Sequence, residues 1–184
     1  KNLGGFGDGG MVITNNEEIA EKIKLLRVHG RNSDNYSYTG LGYNSRLDEL
    51  QAAILRVKLK YVDKWIELRR KIAYLYNKFL SDSPVILPCC KFYARHTFCV
   101  YTIKTPLRNQ LKEYLEKEGI STKIYYPYPL HLQEPYKNLY KKGDFPVAEK
   151  ICREVLSLPI YPELEEEKIK YIAEKITNFF KGWY

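Results

Sequence analysis

The sequence has no apolar run longer than a few residues and only 3 histidines, 4 cysteines, 2 tryptophans and a single methionine, Met11. A helix that crosses a bilayer needs ~20 consecutive apolar residues, so the apolar runs exclude a helical membrane span. No charged-then-apolar leader stands at the start, and nothing marks the chain as secreted. Cys89, Cys90, Cys99 and Cys152 form one adjacent pair and two distant singles, which fits neither zinc-ligand spacing nor an extracellular disulfide framework. No metal site and a reduced, cytoplasmic setting are therefore expected. No Gly-Lys-Ser or Gly-Lys-Thr occurs, which excludes a Walker phosphate loop. Internal repeats and low-complexity stretches are also lacking.

What is present is a globular composition: 184 residues, 45% hydrophobic, with 17 tyrosines and 7 phenylalanines. The net charge of +8 permits an anionic partner, nucleic acid or a phosphorylated metabolite. The lysines, however, alternate with glutamates in EIAEKIKLLR and EEEKIKYIAEK, the pattern of a solvated helix face. With no interleaved basic and aromatic patch, a nucleic-acid partner is not expected.

Periodicity divides the chain. MVIT (Met11 to Thr14) reads as a short strand, and Asn15 or Asn16 with Glu17 and Glu18 opens a helix that Gly30 closes. The Gly-, Ser-, Asn- and Tyr-rich stretch 30–43 reads as a loop. Apolar residues then recur every three or four positions from Leu47 to Phe79, which predicts one long amphipathic helix of ~50 Å, ended by SDSP at 81–84. Such a stripe outruns a small domain, so the helix should link two domains or pack on a partner. The expected domains are 1–80 and 81–184.

The second half reads as a compact α/β unit. TFCVYTIK (97–104) has strand composition, PLRNQLKEYLEKEG (106–119) that of a helix, and ISTKIYY (120–126) that of a second strand. The proline-tyrosine segment YYPYPLHLQEPY, a helix from about Phe145 to Val155, the apolar link LSLPIYP and a terminal helix with Ile169, Ile172, Ile176 and Phe179 on one side complete it.

Five of the first ten residues are glycine, and Gly5, Gly7 and Gly10 satisfy GxGxxG. A dinucleotide fingerprint needs a strand before it and a helix after it; here a strand pattern follows, so the tract is not that fingerprint. A tight turn feeding a strand, with Lys1 solvent-exposed, is the simple alternative. Lys1-Asn2-Leu3, then Gly7-Asp8-Gly9-Gly10 and an apolar strand ending at Thr14, resembles the segment around the Schiff-base lysine of the DegT/StrS family of pyridoxal-phosphate (PLP) sugar aminotransferases. The resemblance continues through His29-Gly30, Gly42-Tyr43-Asn44-Ser45-Arg46-Leu47-Asp48, Gln51-Ala52-Ala53-Ile54-Leu55 and Gly119-Ile120-Ser121-Thr122. It extends to Tyr126-Pro127 with Pro129-Leu130-His131, and to Leu156-Ser157-Leu158-Pro159. Each motif is weak alone; their order and spacing over essentially the whole chain are specific.

The resemblance implies the C-terminal half of an aspartate aminotransferase-like α/β fold: the tail of the large PLP domain, a long linking helix and a small α/β domain. It implies that Lys1 binds PLP as a Schiff base and acts as nucleophile and general base, for which its amine, with a free pKa of ~10.4, must be held neutral. Asn44 would reach the PLP phosphate of a partner subunit, although capping the long helix is its plain structural role. Arg46 would lie near the substrate or in a salt bridge. Tyr126 and His131 would face the sugar, packing being the alternative for His131. His29 and His96 read as structural.

The implied parent is a cytoplasmic homodimer with shared active sites. It would transfer an amino group, from glutamate, to a nucleotide-linked keto sugar in amino-sugar or polysaccharide biosynthesis. The rest of the enzyme would lie upstream, leaving this piece inactive alone. A PLP-dependent sugar dehydratase is a rival, disfavoured because such relatives carry histidine in place of this lysine. A non-enzymatic remnant acting as a regulator or basic binding module is another.

Overall fold

The computed structural model describes residues 1–182. The chain forms two compact units, one holding Lys1 and 3–62, the other holding Asn2 and the chain from Asp63 onward. Among the described residues no helix is long and apolar enough to cross a membrane.

In the first unit, α1 (Glu17–Leu26) starts where Asn16 Oδ1 accepts the Ile19 N–H at 3.1 Å, with Glu17 and Glu18 in the first turn. An N-cap side chain of this kind satisfies a backbone donor that the helix itself leaves unpaired, and the two carboxylates favour the positive end of the dipole. The chain turns at His29 and Gly30, both with positive φ, 69° and 75°. Helix α2 (Glu49–Leu59) follows the loop. Neither helix carries a buried residue. Met11 and Ile13 are each 86% exposed and pair with no strand, so the expected MVIT strand is absent among the described residues. A strand forms only beside another, and this unit offers none.

The apolar stripe expected to form one long helix forms two. A turn at Lys60 and Tyr61 separates α2 from α3 (Val62–Phe79), with the Lys60 and Tyr61 N–H groups donating three residues back to Val57 and Lys58.

The second unit contains the core. Strand β1 (Tyr101–Lys104) pairs antiparallel with β2 (Val155–Leu158), Tyr101 opposite Leu158 and Lys104 opposite Val155. Single bridges extend the sheet, Ile86 to Lys104 on one side and Lys123 to Ser157 on the other. The expected strand at 120–126 is reduced to the latter bridge, and the LSLP link is β2 itself. Helix α4 (Arg108–Lys117) lies against β2 and α6 (Glu166–Lys181), while α5 (Pro146–Glu154) runs directly into β2. Ile72 and Tyr76 of α3, Tyr101 and Ile103 of β1, Leu111 and Leu115 of α4, and Ile169 and Ile176 of α6 share one buried cluster. Side chains of this size contribute roughly 1.5–3 kcal/mol each when fully buried, so this cluster is what holds the unit together.

The excess lysines lie on the helix faces, as their spacing suggests. Lys24 pairs with Glu21, Lys112 with Glu116 and Lys170 with Glu166, all within single helices. Exposed pairs of this kind contribute only ~0.3–0.5 kcal/mol each and mark a solvated face.

Candidate functional site

Lys1 is exposed, and the glycine segment after it is held by α2. Lys58 Nζ donates to the Gly4 carbonyl at 2.5 Å, and its ammonium lies 5.1 Å from the centroid of the Phe6 ring. The Phe6 N–H donates to Gln51 Oε1 at 2.8 Å. Gln51 and Lys58 are seven residues apart, hence two turns along one face of α2. The glycines admit this approach: Gly4 has φ +72°, and a Cβ on Gly7 would lie 2.9 Å from Gln51 Nε2. No helix follows the tract before Glu17, and the strand expected directly after it is absent as well. Nothing in the sequence pattern pointed to Lys58, and Gln51 entered only as part of a family motif, because helical spacing alone does not say what a face touches.

Asn44 sits in a short backbone ladder. The Tyr43 N–H donates to the Leu26 carbonyl, the His29 N–H to Tyr43, and the Ser45 N–H to Arg27. The segment passes so close to the α1 terminus that a Cβ on Gly42 would lie 2.2 Å from the Gly30 nitrogen. Asn44 does not cap the helix: the N-cap of α2 is Asp48, four residues on. The structural role open to Asn44 from sequence is thereby removed, and its side chain is exposed, as is that of Arg46. Among the described residues Arg46 has no ion-pair partner. Within the loop before it, Asp34 accepts from the Tyr36 and Ser37 N–H groups and the Ser37 hydroxyl, with the hydroxyl foremost in lowering its pKa to about 2.

In the second unit Tyr126 is 64% exposed, whereas His131 is 7% exposed and its Nε2 lies 3.1 Å from Glu149 Oε1. The same carboxylate oxygen accepts the Gly143 N–H at 2.6 Å. The Gly143 bond, and then the His131 ring, hold the Glu149 carboxyl below its ordinary range. Glu149 and Gly143 escaped the sequence reading: the partners lie on different elements, 18 residues apart in the case of Glu149 and His131. His29 ends the α1 turn, and His96 Nδ1 accepts the Phe98 N–H at 2.9 Å, both structural roles.

The family model of the DegT/DnrJ/EryC1/StrS aminotransferase family matches residues 1–177. A "pleiotropic regulatory protein" of Geobacillus stearothermophilus is 49% identical over 98% of this chain and 50% of its own length. A UDP-N-acetyl-3-dehydro-alpha-D-glucosamine 3-aminotransferase of Acidithiobacillus ferrooxidans is 41% identical over 99% of this chain and 49% of its own. Among solved structures, S. venezuelae DesV in complex with a ketimine intermediate superposes with a TM-score of 0.93 at 38% identity, over 97% of this chain and 48% of that one. The chain thus spans about half the length of the curated relatives it matches.

Proposed function

The chain belongs to the DegT/DnrJ/EryC1/StrS aminotransferase family, whose fold and PLP cofactor follow from that membership, and on this premise we propose that its parent protein moves an amino group from glutamate onto a nucleotide-linked keto sugar. The residues present fit the cofactor where this chain can contribute to it. A primary amine stands exposed at the head of a segment that Lys58 and Gln51 hold in place. An exposed side-chain amide, Asn44, sits on a ladder fixed against α1.

The chemistry supplied by bound PLP is an aldehyde for amine exchange and a ring that takes up the electron pair released at the substrate carbon. Lys1 would hold that cofactor through Nζ and, once freed by the amino donor, would be the group that takes up and returns a proton at the substrate carbon. Asn44 would hold the cofactor phosphate of a partner subunit through its side-chain amide, so that the active sites would be shared in a homodimer. Arg46 stands on the substrate side, where a planar guanidinium suits the diphosphate of a nucleotide sugar. Tyr126 faces the sugar, and His131 belongs to the same segment. Lysine at position 1, where dehydrating relatives have histidine, favours amino transfer over loss of hydroxyl.

Several features support the view that this piece is silent alone. The first unit has two helices with no buried residue and an apolar stretch, Met11 to Ile13, that lies bare. Such surface calls for cover from chain beyond these residues. The large domain hands over to the small one at about residue 80. A cytoplasmic enzyme of polysaccharide or amino-sugar assembly is the setting this chemistry suits.

The observation that carries the proposal is Lys1 at the head of a family match that runs to residue 177. It is tested with Lys1→Ala in the full-length protein, assayed with glutamate and a panel of UDP- and dTDP-linked keto sugars. Loss of amino transfer with the fold retained is expected; appreciable transfer by that variant would defeat the assignment.

A further inference from the structure

The chain between Lys123 and His131 is a strap held at both ends. At one end the Lys123 N–H donates to the Ser157 carbonyl at 3.1 Å, and the Ser157 N–H donates back to the Lys123 carbonyl at 2.7 Å. At the other end stands the His131–Glu149 pair. Ser157 lies in β2 and Glu149 in α5, and these elements are consecutive, Pro146–Glu154 and Val155–Leu158. Both anchors therefore rest on one continuous piece of backbone. Between them Tyr125, Tyr126, Tyr128 and Leu130 are 45%, 64%, 71% and 77% exposed.

The His131 anchor is built to stay closed. Glu149 is 6% exposed, and a buried carboxylate is tolerated only where hydrogen bonds replace its water. Here one oxygen takes both the Gly143 N–H and the imidazole. A carboxylate can only accept, so His131 donates from Nε2 and its tautomer is set by Glu149. Phe145 lies 4.9 Å from the imidazole centroid and Tyr140 5.4 Å from that of Phe145, which screens the pair. With 7% of His131 exposed, little of the ring is left for a ligand.

We infer that His131 and Glu149 are positioning residues: they fix one end of the strap so that its exposed tyrosines, Tyr126 foremost, meet the sugar, while His131 itself does not touch it. The inference rests on the aminotransferase reading and on Tyr126 as the sugar-facing residue. Pro127 and Pro129 are what make the anchor matter. Proline restricts its own φ and biases the residue before it toward extended backbone, so a segment with two alternating prolines is stiff. Slack at His131 is then passed to Tyr126 instead of being absorbed between them. Tyrosine suits the task, because its ring offers an apolar face and a polar tip.

The test uses the full-length protein loaded with PLP and the variants Glu149→Ala, Glu149→Gln, His131→Ala and the Glu149→Ala/His131→Ala double. Glu149→Gln keeps the volume and serves if Glu149→Ala fails to fold. The expected result is a KM for the nucleotide keto sugar raised about tenfold in each single Ala variant and no further in the double, since both act through one anchor. The donor half-reaction, followed by the change in cofactor absorbance on adding glutamate, keeps its rate. Chymotryptic cleavage after Tyr125 and Leu130 rises several-fold in the variants, the prolines after Tyr126 and Tyr128 protecting the other sites. An unchanged KM, an equal fall in both half-reactions, or unchanged cleavage would overturn the inference. A wild type that turns over none of the keto sugars counts against the aminotransferase reading, and the cleavage comparison still decides whether the strap is anchored as described.

Discussion

Tyr76 of α3 and Tyr101 of β1 stack with ring centroids 4.8 Å apart, and neither exposes any surface. The Tyr76 hydroxyl donates to the Pro159 carbonyl at 2.9 Å and the Tyr101 hydroxyl to Asn77 Oδ1 at 2.6 Å. Two buried phenols thus tie α3, the sheet and the chain after β2 into one core. Removing the Tyr76 hydroxyl leaves the part-buried Pro159 carbonyl without its donor, so Tyr76→Phe is expected to cost about 1 kcal/mol, read from chemical denaturation.

The same pair sets an alkaline limit. Burial raises both phenols above the ordinary tyrosine value of 10.0. A raised pKa means that the stability tied to the neutral phenols is complete below about pH 10 and is lost as pH climbs beyond it, because the unfolded chain ionises first. The melting temperature should fall steeply above pH 10, and less steeply in a Tyr76→Phe/Tyr101→Phe variant. Equal slopes in the two proteins would contradict the assignment.

Gly42→Ala tests the ladder that presents Asn44. The new Cβ would meet the Gly30 nitrogen at 2.2 Å, and backbone cannot yield as a side-chain tip can. We expect a loss of about 3 kcal/mol, the upper part of the range for single substitutions. In full-length protein we also expect weaker PLP retention, measured by equilibrium dialysis, because Asn44 moves with the ladder.

The Glu149 anchor has an acid limit. Its carboxyl sits below the ordinary value of 4.5, first through the Gly143 N–H and then through His131, with Arg153 adding a smaller pull. A lowered pKa means the contribution is present above the ordinary value and lost as pH falls through the lowered one. The Gly143 amide proton, bonded to that carboxylate at 2.6 Å, reports the event directly. Its NMR shift should titrate with a midpoint below 4.5, whereas a midpoint at or above 4.5 would mean the bond does not hold in solution.

Helices α1, α4, α5 and α6 were legible in the sequence because each pairs an apolar period with a start or stop signal, as with Asn16 before α1 and Gly119 after α4. The break at Lys60 and Tyr61 was not, since Val57, Tyr61 and Trp65 continue the spacing straight through a two-residue turn. β2 hid as an apolar link because all four of its residues are buried, which erases the alternation that marks a half-exposed strand. The MVIT stretch has strand composition and no strand beside it, a lack that composition cannot show. At the site, the residues of the family motifs could be named in advance, but the contacts that support them could not. Gln51 and Lys58 under the glycine segment, and Glu149 behind His131, are contacts between residues far apart in the chain.

The most direct test of the account is where the cofactor is attached. Full-length protein is incubated with PLP, reduced with borohydride, digested and mapped by mass spectrometry. The account predicts a single pyridoxyl group on Lys1; a pyridoxyl group on another lysine, or none, would contradict it.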